Sequence, residues 1–287
     1  MARVRAAADT GGFDMALWQG LAEMGAFSLR IPEEAGGLGL GLMDAAVLME
    51  EAGRTLASGP LAETLVAARV LAILGGEPQG ELLHSVVAGE KVITIAFHNV
   101  AEQPLQWVAG GAIADAVIAR DGGEVVLLLL PDTAGRDEAN LASTPIGELL
   151  LDQGERIVLS DNAEGRQVFS QALEEWKILV AIALAGLARE AVRVAAEYAC
   201  ERVAFGQPIG TYQGISHPLA DLITDIDGGK YFTWKAIHDI AHGLPDAGAQ
   251  ISLALWWNTA TASRAVVQSL HTFGGYGLST EYDIHLY

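Results

Sequence analysis

The sequence predicts a mostly α-helical protein in which a small, reduced β unit separates an N-terminal helical unit from a C-terminal helical bundle. Three observations carry that expectation. Apolar residues recur at three- and four-residue spacing up to about Glu90. Short β-branched runs punctuated by Gly, Asp and Pro take over at Lys91, and the helical period returns from about Gln171 and holds nearly to the end. The boundaries drawn from this pattern are residues 1–90, 91–168 and 169–287.

In the first unit, Phe13, Leu17, Leu21 and Met24 form one apolar stripe and predict a helix. RIPEEAGGLGLGL then interrupts with Pro32 and a cluster of glycines, and helical spacing resumes from Met43 to Leu56. Pro60 opens a further helix that runs to Leu74, where Gly75 and Gly76 stop it ahead of ELLHSVVAGE. The strands expected next are VITIAF, DAVIAR, EVVLLLL and RIVLS, while HNVAEQPLQWVAGGA between the first two is poorly patterned, so the β unit is small. Three long helices follow, Leu173–Arg202, His217–His242 and Ala247–Thr272. The longest apolar run, Ile178 to Ala188, is bracketed by Lys177 and Arg189 and falls well short of the ~20 residues of a membrane span. It predicts a buried core helix.

Composition narrows the function. The chain has 287 residues, of which 51% are hydrophobic, with 17 Lys and Arg against 36 Asp and Glu. A formal charge of −19 repels nucleic acid and anionic membranes, so a phosphate-bearing ligand has to be held locally, by a few arginines or a helix N-terminus. The single cysteine, Cys200, excludes an internal disulfide and a multi-cysteine metal site, and its apolar helical setting predicts a buried, inert thiol in a reducing cytoplasm. MARVRAAADTGG at the N-terminus lacks the apolar core of a secretory signal. A cytoplasmic location, with no partner among nucleic acids or membranes, is the resulting expectation.

The stretch with most chemistry is RVAFGQPIGTYQ, residues 202–213. Arg202 ends a long helix with a guanidinium suited to bidentate phosphate contact, Gly206 and Pro208 force a turn, and Gln213 stands where the next helix begins. A cation at a helix C-terminus also has a purely structural use, as a cap worth ~0.3–1 kcal/mol. HTFGGYGLSTEY, residues 271–282, sets Gly274, Gly275 and Gly277 after the last helix, which fits either a helix stop or a close backbone approach to a ligand.

These two stretches, with LRIPEEAGGLGLGLMDAAVLMEEAGRTLASGPL at residues 29–61, resemble the acyl-CoA dehydrogenase family: its Pro-Glu-Glu-x-Gly-Gly-x-Gly loop, its Arg-x-x-Phe-Gly-x-x-Ile-x-x-x-Gln signature and its Gly-Gly-x-Gly segment, in the same order. The resemblance implies that Arg202, Phe205 and Gln213 grip the pyrophosphate and adenosine half of FAD across a subunit interface. It implies that Gly274 and Gly275 let backbone approach the FAD ribose and adenine, with His271 standing where the family usually has glutamine.

The chain also departs from the family. Between Ile95 and Val117 it has neither the Thr-Glu-Pro-x-x-Gly-Ser-Asp segment nor the Gly-x-Lys strand pair that holds the flavin ring. Aligned on the Arg-x-x-Phe-Gly motif, Trp176 occupies one family position of the catalytic carboxylate, and the other lies beyond Gly277 in a loop the chain does not reach. Glu174 and Glu175 are one or two residues out of phase, about 100° of helix rotation per residue, and read as solvated acids of a first turn. No catalytic residue is therefore assigned. His238 and His242, four apart, have metal-ligand spacing, but Asp239 between them makes no matching set; they read as an exposed polar face, and no metal site is assigned. Asp221, Asp225 and Asp227 read as solvated, and Trp256 and Trp257 as core or interface anchors.

The resemblance extends to paired systems of steroid and cholesterol side-chain breakdown, in which one subunit is complete and the other has a degenerate middle unit. It implies a half-site subunit that shares FAD with a homologous partner in a heterotetramer acting on an acyl-CoA. Two other readings stay open at this stage: a self-sufficient homo-oligomeric dehydrogenase, and a scaffold that binds no flavin.

Overall fold

The computed structural model describes residues 1–131 and 140–287. The chain forms two compact units, one from residues 2–45 and 58–176 and the other from Met1, residues 46–57 and residues 177–287.

The first unit opens with α1 (Ala2–Ala8) and α2 (Met15–Glu23). Asp14 caps α2, its carboxylate accepting from the Leu17 N–H at 3.0 Å, and Arg3 beside it holds that carboxyl below the usual range. Trp18 is wholly buried, 5.4 Å from the ring of Phe13 and 4.3 Å from that of Phe27. α3 (Leu42–Thr55) lies mostly in the second unit; in the first, α4 (Leu61–Leu74) is buried on nearly every side, so it carries almost no apolar periodicity. Its Thr64 hydroxyl donates to the Ile93 carbonyl at 2.7 Å and ties the helix to the sheet. α5 (Gly80–Val87) completes the helices that precede the strands.

Six strands follow among the described residues: β1 (Ile93–Ile95), β2 (Leu105–Val108), β3 (Ala116–Asp121), β4 (Glu124–Leu129), β5 (Gly147–Leu150) and β6 (Glu155–Ser160). β1 and β3 are parallel, and β3, β4 and β6 add antiparallel in the order β1-β3-β4-β6. Gly122 and Gly123 form the two-residue turn between β3 and β4, Gly122 at φ +57°. These are the four strands legible in the sequence. β2 and β5 pair separately, and the sequence concealed them because the pattern of β2 is inverted: Leu105 and Trp107 face out while Gln106 is buried. Gln106 tolerates burial because its amide donates to the carbonyls of His98 and Gln103 and accepts from the His98 N–H.

α6 (Ala163–Glu201) runs 39 residues and begins ten residues before the expected Leu173. Asn162 precedes it and accepts from the Gly165 N–H at 2.9 Å, a cap signal masked by the polar residues that follow. In the second unit α7 (Gln213–Ala241) and α8 (Ala247–Phe273) form an antiparallel pair. Asn258 of α8, buried, donates to the Gly229 carbonyl and the Thr233 hydroxyl of α7, each at 3.1 Å. Small residues set the packing distance here. A Cβ on Gly53 would lie 1.9 Å from the Ala183 carbonyl oxygen, and one on Gly186 would lie 2.0 Å from that of Glu50. The core is correspondingly rich in alanine, with Ala188, Ala191, Ala195, Ala262 and Ala265 beside Leu219, Leu222, Ile226 and Phe273. Among the described residues no helix is long and apolar enough to cross a membrane.

Candidate functional site

The RVAFGQPIGTYQ corner is built by the end of α6. The Arg202 N–H still donates to the Tyr198 carbonyl at 2.9 Å, and the chain then turns through a short hairpin, β7 (Val203–Ala204) and β8 (Gln207–Pro208). The Ile209 N–H closes it on the Arg202 carbonyl at 2.8 Å. Both turn residues are left-handed, Phe205 at φ +53° and Gly206 at φ +86°. A type I′ hairpin turn needs this at both positions; glycine adopts it freely, whereas a bulky side chain such as Phe205 does so at a cost of roughly 1–2 kcal/mol. Phe205 is nonetheless 96% exposed, so burial among the described residues does not offset that conformation. Below it, the Tyr212 hydroxyl donates to the Ala204 carbonyl at 3.2 Å and its ring meets Phe205 edge-on.

Gln213 is the first residue of α7 and is exposed; no side chain caps that helix, so its first amide N–H groups are open to a ligand. Beyond α8, Gly274 sits at φ +59°, and a Cβ on either Gly274 or Gly275 would meet nothing within 4 Å. Internal packing therefore does not demand this glycine pair. Gly277 differs, because a Cβ there would come within 2.7 Å of the Leu270 carbonyl oxygen.

The structure joins the two motifs through a residue the sequence reading passed over. The Arg202 guanidinium lies 5.4 Å from the centroid of the Tyr276 ring. Behind Tyr276, Tyr282 packs on Phe273, which stacks on Tyr198 at 4.0 Å. A tyrosine inside the FGGYG run was the available signal. His271 is exposed on the last turn of α8, its carbonyl accepting from the Gly274 N–H; among the described residues no hydrogen bond or ion pair ties the side chain of His271 or Gln213 to Arg202.

Charge pairing sets Arg202 apart. Arg54, Arg189, Arg193 and Arg264, the other arginines of this unit, each reach a carboxylate: Glu51, Asp227, Glu190 and Asp225 respectively. Arg202 is exposed and reaches none among the described residues. In a chain of net charge −19, a cation left unpaired beside an uncapped helix N-terminus and an exposed aromatic ring is suited to an external anion with a planar or apolar portion.

The carboxylate position in the first unit is closed. The Trp176 indole N–H donates to a carboxylate oxygen of Glu63 at 2.8 Å, and its ring lies 4.4 Å from that of Phe97. Burial pushes the Glu63 carboxyl above its usual range, only partly opposed by the indole hydrogen bond. Glu175 is not the solvated acid its position suggested. It is buried, with Arg30 at 2.8 Å and Arg69 at 3.4 Å, because α6 begins ten residues before Leu173 and places Glu175 well inside the helix. Cys200 corrects a second expectation: it is exposed, on the same face of α6 as Arg193 and Glu197, while Ala199 and Ala195 take the buried side. Asp225 and Asp227 are ion-paired rather than simply solvated, and Trp256 is 63% exposed. Among the described residues no group of three or more His, Cys, Asp or Glu converges on a metal position.

Comparison with known proteins bears on both stretches. Residues 1–90 match the model of the acyl-CoA dehydrogenase N-terminal domain, and residues 163–287 that of the acyl-CoA dehydrogenase C-terminal domain. Over its full length the chain is 30% identical to acyl-CoA dehydrogenase IpdE2 of Mycobacterium tuberculosis and covers 83% of that protein. Among solved structures it is similar to a variant of the Tcur3481-Tcur3483 steroid ACAD, with a TM-score of 0.86 and 29% identity over 99% of this chain and 85% of that one. It is also similar to the ChsE4-ChsE5 complex of Mycobacterium tuberculosis, with a TM-score of 0.80 and 25% identity over 96% and 81% of the two chains.

Proposed function

As the chain belongs to the acyl-CoA dehydrogenase family, we propose that it is the half-site subunit of a heteromeric, FAD-dependent acyl-CoA dehydrogenase, completing the flavin site of a homologous partner in a heterotetramer. The observation that carries this reading is the state of Arg202, the one arginine of its unit with no carboxylate among the described residues, set over Tyr276 beside the uncapped start of α7. Arg202 and the first N–H groups of α7 supply positive charge for the FAD pyrophosphate. Phe205 and the open backbone of Gly274 and Gly275 supply apolar and close-approach surface for the adenosine half, and Gln213 and His271 supply further donors. The chemistry brought by bound FAD is acceptance of the β-hydride of an acyl-CoA thioester.

The α-proton needs a carboxylate, and among the described residues none stands in that role at the aligned helix position. Trp176 fills the aligned position, Glu63 is engaged by the Trp176 indole, and Glu175 is held between two arginines. The base therefore comes from the partner, and this chain's part is to bind and orient. Two of the similar solved structures carry paired names, and one is described as a steroid enzyme. They support a two-component assembly here, with a steroid-type acyl-CoA as substrate.

Purification of the chain alone and with a complete homologous subunit tests the reading by flavin absorbance and native mass. The expected result is a flavin-poor, inactive single chain and a flavin-loaded, active complex. Stoichiometric FAD and acyl-CoA oxidation by the single chain would overturn it.

A further inference from the structure

Four aromatic rings close on one another beside Arg202. Tyr282 is the hub, with its ring centroid 5.8 Å from that of Tyr198, 5.4 Å from that of Phe273 and 5.5 Å from that of Tyr276. Tyr198 and Phe273 complete the cluster by stacking at 4.0 Å with planes 16° apart. The end of α6 is thereby fastened to the end of α8 and to the turn that carries Tyr276. Arg202 meets this cluster at two points: its N–H donates to the Tyr198 carbonyl at 2.9 Å, and its guanidinium lies 5.4 Å from the centroid of the Tyr276 ring.

Tyr276 is 44% exposed and yet held firmly from its own backbone. It lies in the short helical turn Gly274–Leu278, and its carbonyl accepts from the Ser279 N–H at 3.0 Å. Gly277 lets that turn close on α8, since a Cβ there would come within 2.7 Å of the Leu270 carbonyl oxygen. The ring is a braced, uncharged platform. Two hazards face a cation that has to wait for a ligand: loss of rotamer freedom when it binds, and collapse onto a carboxylate of an acidic chain. Glu197 and Glu201 lie on the last turns of α6, and Glu197 already holds Arg193. Arg202, lying over the ring, reaches neither among the described residues.

We propose that Tyr276 is a positioning residue, whose ring, braced by Tyr282, holds the Arg202 guanidinium ordered and unpaired for the flavin pyrophosphate. The inference rests on the half-site reading and adds to it the residue that presets the cation. A guanidinium already ordered before FAD arrives loses less freedom on binding, so the platform acts on affinity through Arg202 alone.

The test is a double-mutant cycle in the complex co-purified with a complete homologous subunit, with FAD retention followed by flavin fluorescence across a dilution series. Tyr276→Phe keeps an aromatic face and is expected to hold FAD within about twofold of the unaltered complex. Tyr276→Leu is expected to weaken it about two- to tenfold, and to have no further effect in an Arg202→Ala background. Melting of each chain alone checks that the exposed substitutions leave the fold intact. A structural role for Tyr276 would weaken retention equally in both backgrounds, and that additivity, or equal behaviour of the Phe and Leu variants, overturns the proposal. If Arg202→Ala weakens retention while Tyr276→Leu does not, the positioning role fails and the half-site reading stands; if Arg202→Ala is itself silent, both fail.

Discussion

Arg202→Ala separates a cap from a cofactor grip. Within the chain the side chain does two things: it lies over the Tyr276 ring, a contact worth ~0.5–1 kcal/mol at an exposed site, and it follows the C-terminus of α6, worth ~0.3–1 kcal/mol. Their loss costs the isolated chain less than about 2 kcal/mol, a fall in Tm of a few degrees at roughly 2–4 °C per kcal/mol for a protein of this size. No carboxylate is left unpaired, because Arg202 has none among the described residues. A charge-assisted contact to phosphate is worth ~1.5–3 kcal/mol, so the assembled complex should retain FAD roughly ten- to a hundredfold more weakly. The assay is flavin absorbance of the co-purified complex after dialysis, beside the melting curve of the chain alone. Arg202→Lys keeps the charge without the planar fork and should fall between the two. Unchanged FAD retention by an Arg202→Ala complex refutes the reasoning and reduces Arg202 to a helix cap.

Three further outcomes follow from the same geometry. Phe205→Gly should stabilise the isolated chain by ~0.5–1 kcal/mol in denaturant titration, by relieving the left-handed φ of +53°, while weakening assembly with the partner by native mass titration. Gly186→Ala should destabilise by more than about 2 kcal/mol in thermal melting, since its Cβ would lie 2.0 Å from the Glu50 carbonyl oxygen and the backbones must separate. Glu63→Gln keeps an acceptor for the Trp176 indole and removes a titration. The folded-state pKa of Glu63 is raised by burial, so its contribution is fully present below the unfolded value near 4.5 and is lost as pH rises through the folded value. The variant should be the more stable protein at neutral pH, with the difference vanishing in acid; equal pH slopes in the two melting series would show that Glu63 is solvated.

The amphipathic helices were legible from one apolar face each, and α4 and the strands of the four-stranded sheet from apolar runs bounded by Gly, Pro and Asp; the errors lie where pattern and burial part company. α6 starts early because DNAEGRQ, residues 161–167, is polar, and only the Asn162 cap marks the start. β2 was invisible because its buried residue is Gln106, satisfied by hydrogen bonds that sequence cannot display. The helical period was drawn only from His217, although the motif reading set Gln213 where the helix begins; α7 starts at Gln213 and holds Pro218 in its interior. At the candidate site the motif residues were all identifiable, yet Tyr276, which links the two stretches, was not. Its role depends on a contact across more than 70 residues of chain, and no local spacing encodes that.

The energetics of the corner also bear on why a partner is needed. Phe205 at 96%, Leu278 at 86% and Val203 at 58% exposure belong to the two segments that Arg202 and Tyr276 connect. Large apolar side chains held out in this way mark surfaces covered by something else. Burying Phe205 alone returns ~1.5–3 kcal/mol, which exceeds the roughly 1–2 kcal/mol cost of its left-handed backbone. The strain is therefore tolerable in an assembly and a net liability outside one. Flavin alone leaves that surplus small, since binding also has to overcome the ordering of both components. Under the proposed half-site function, a corner that is unfavourable in the free chain and favourable when covered would couple cofactor retention to assembly: FAD should be held more tightly with the partner over Phe205, and the partner more tightly with FAD at Arg202.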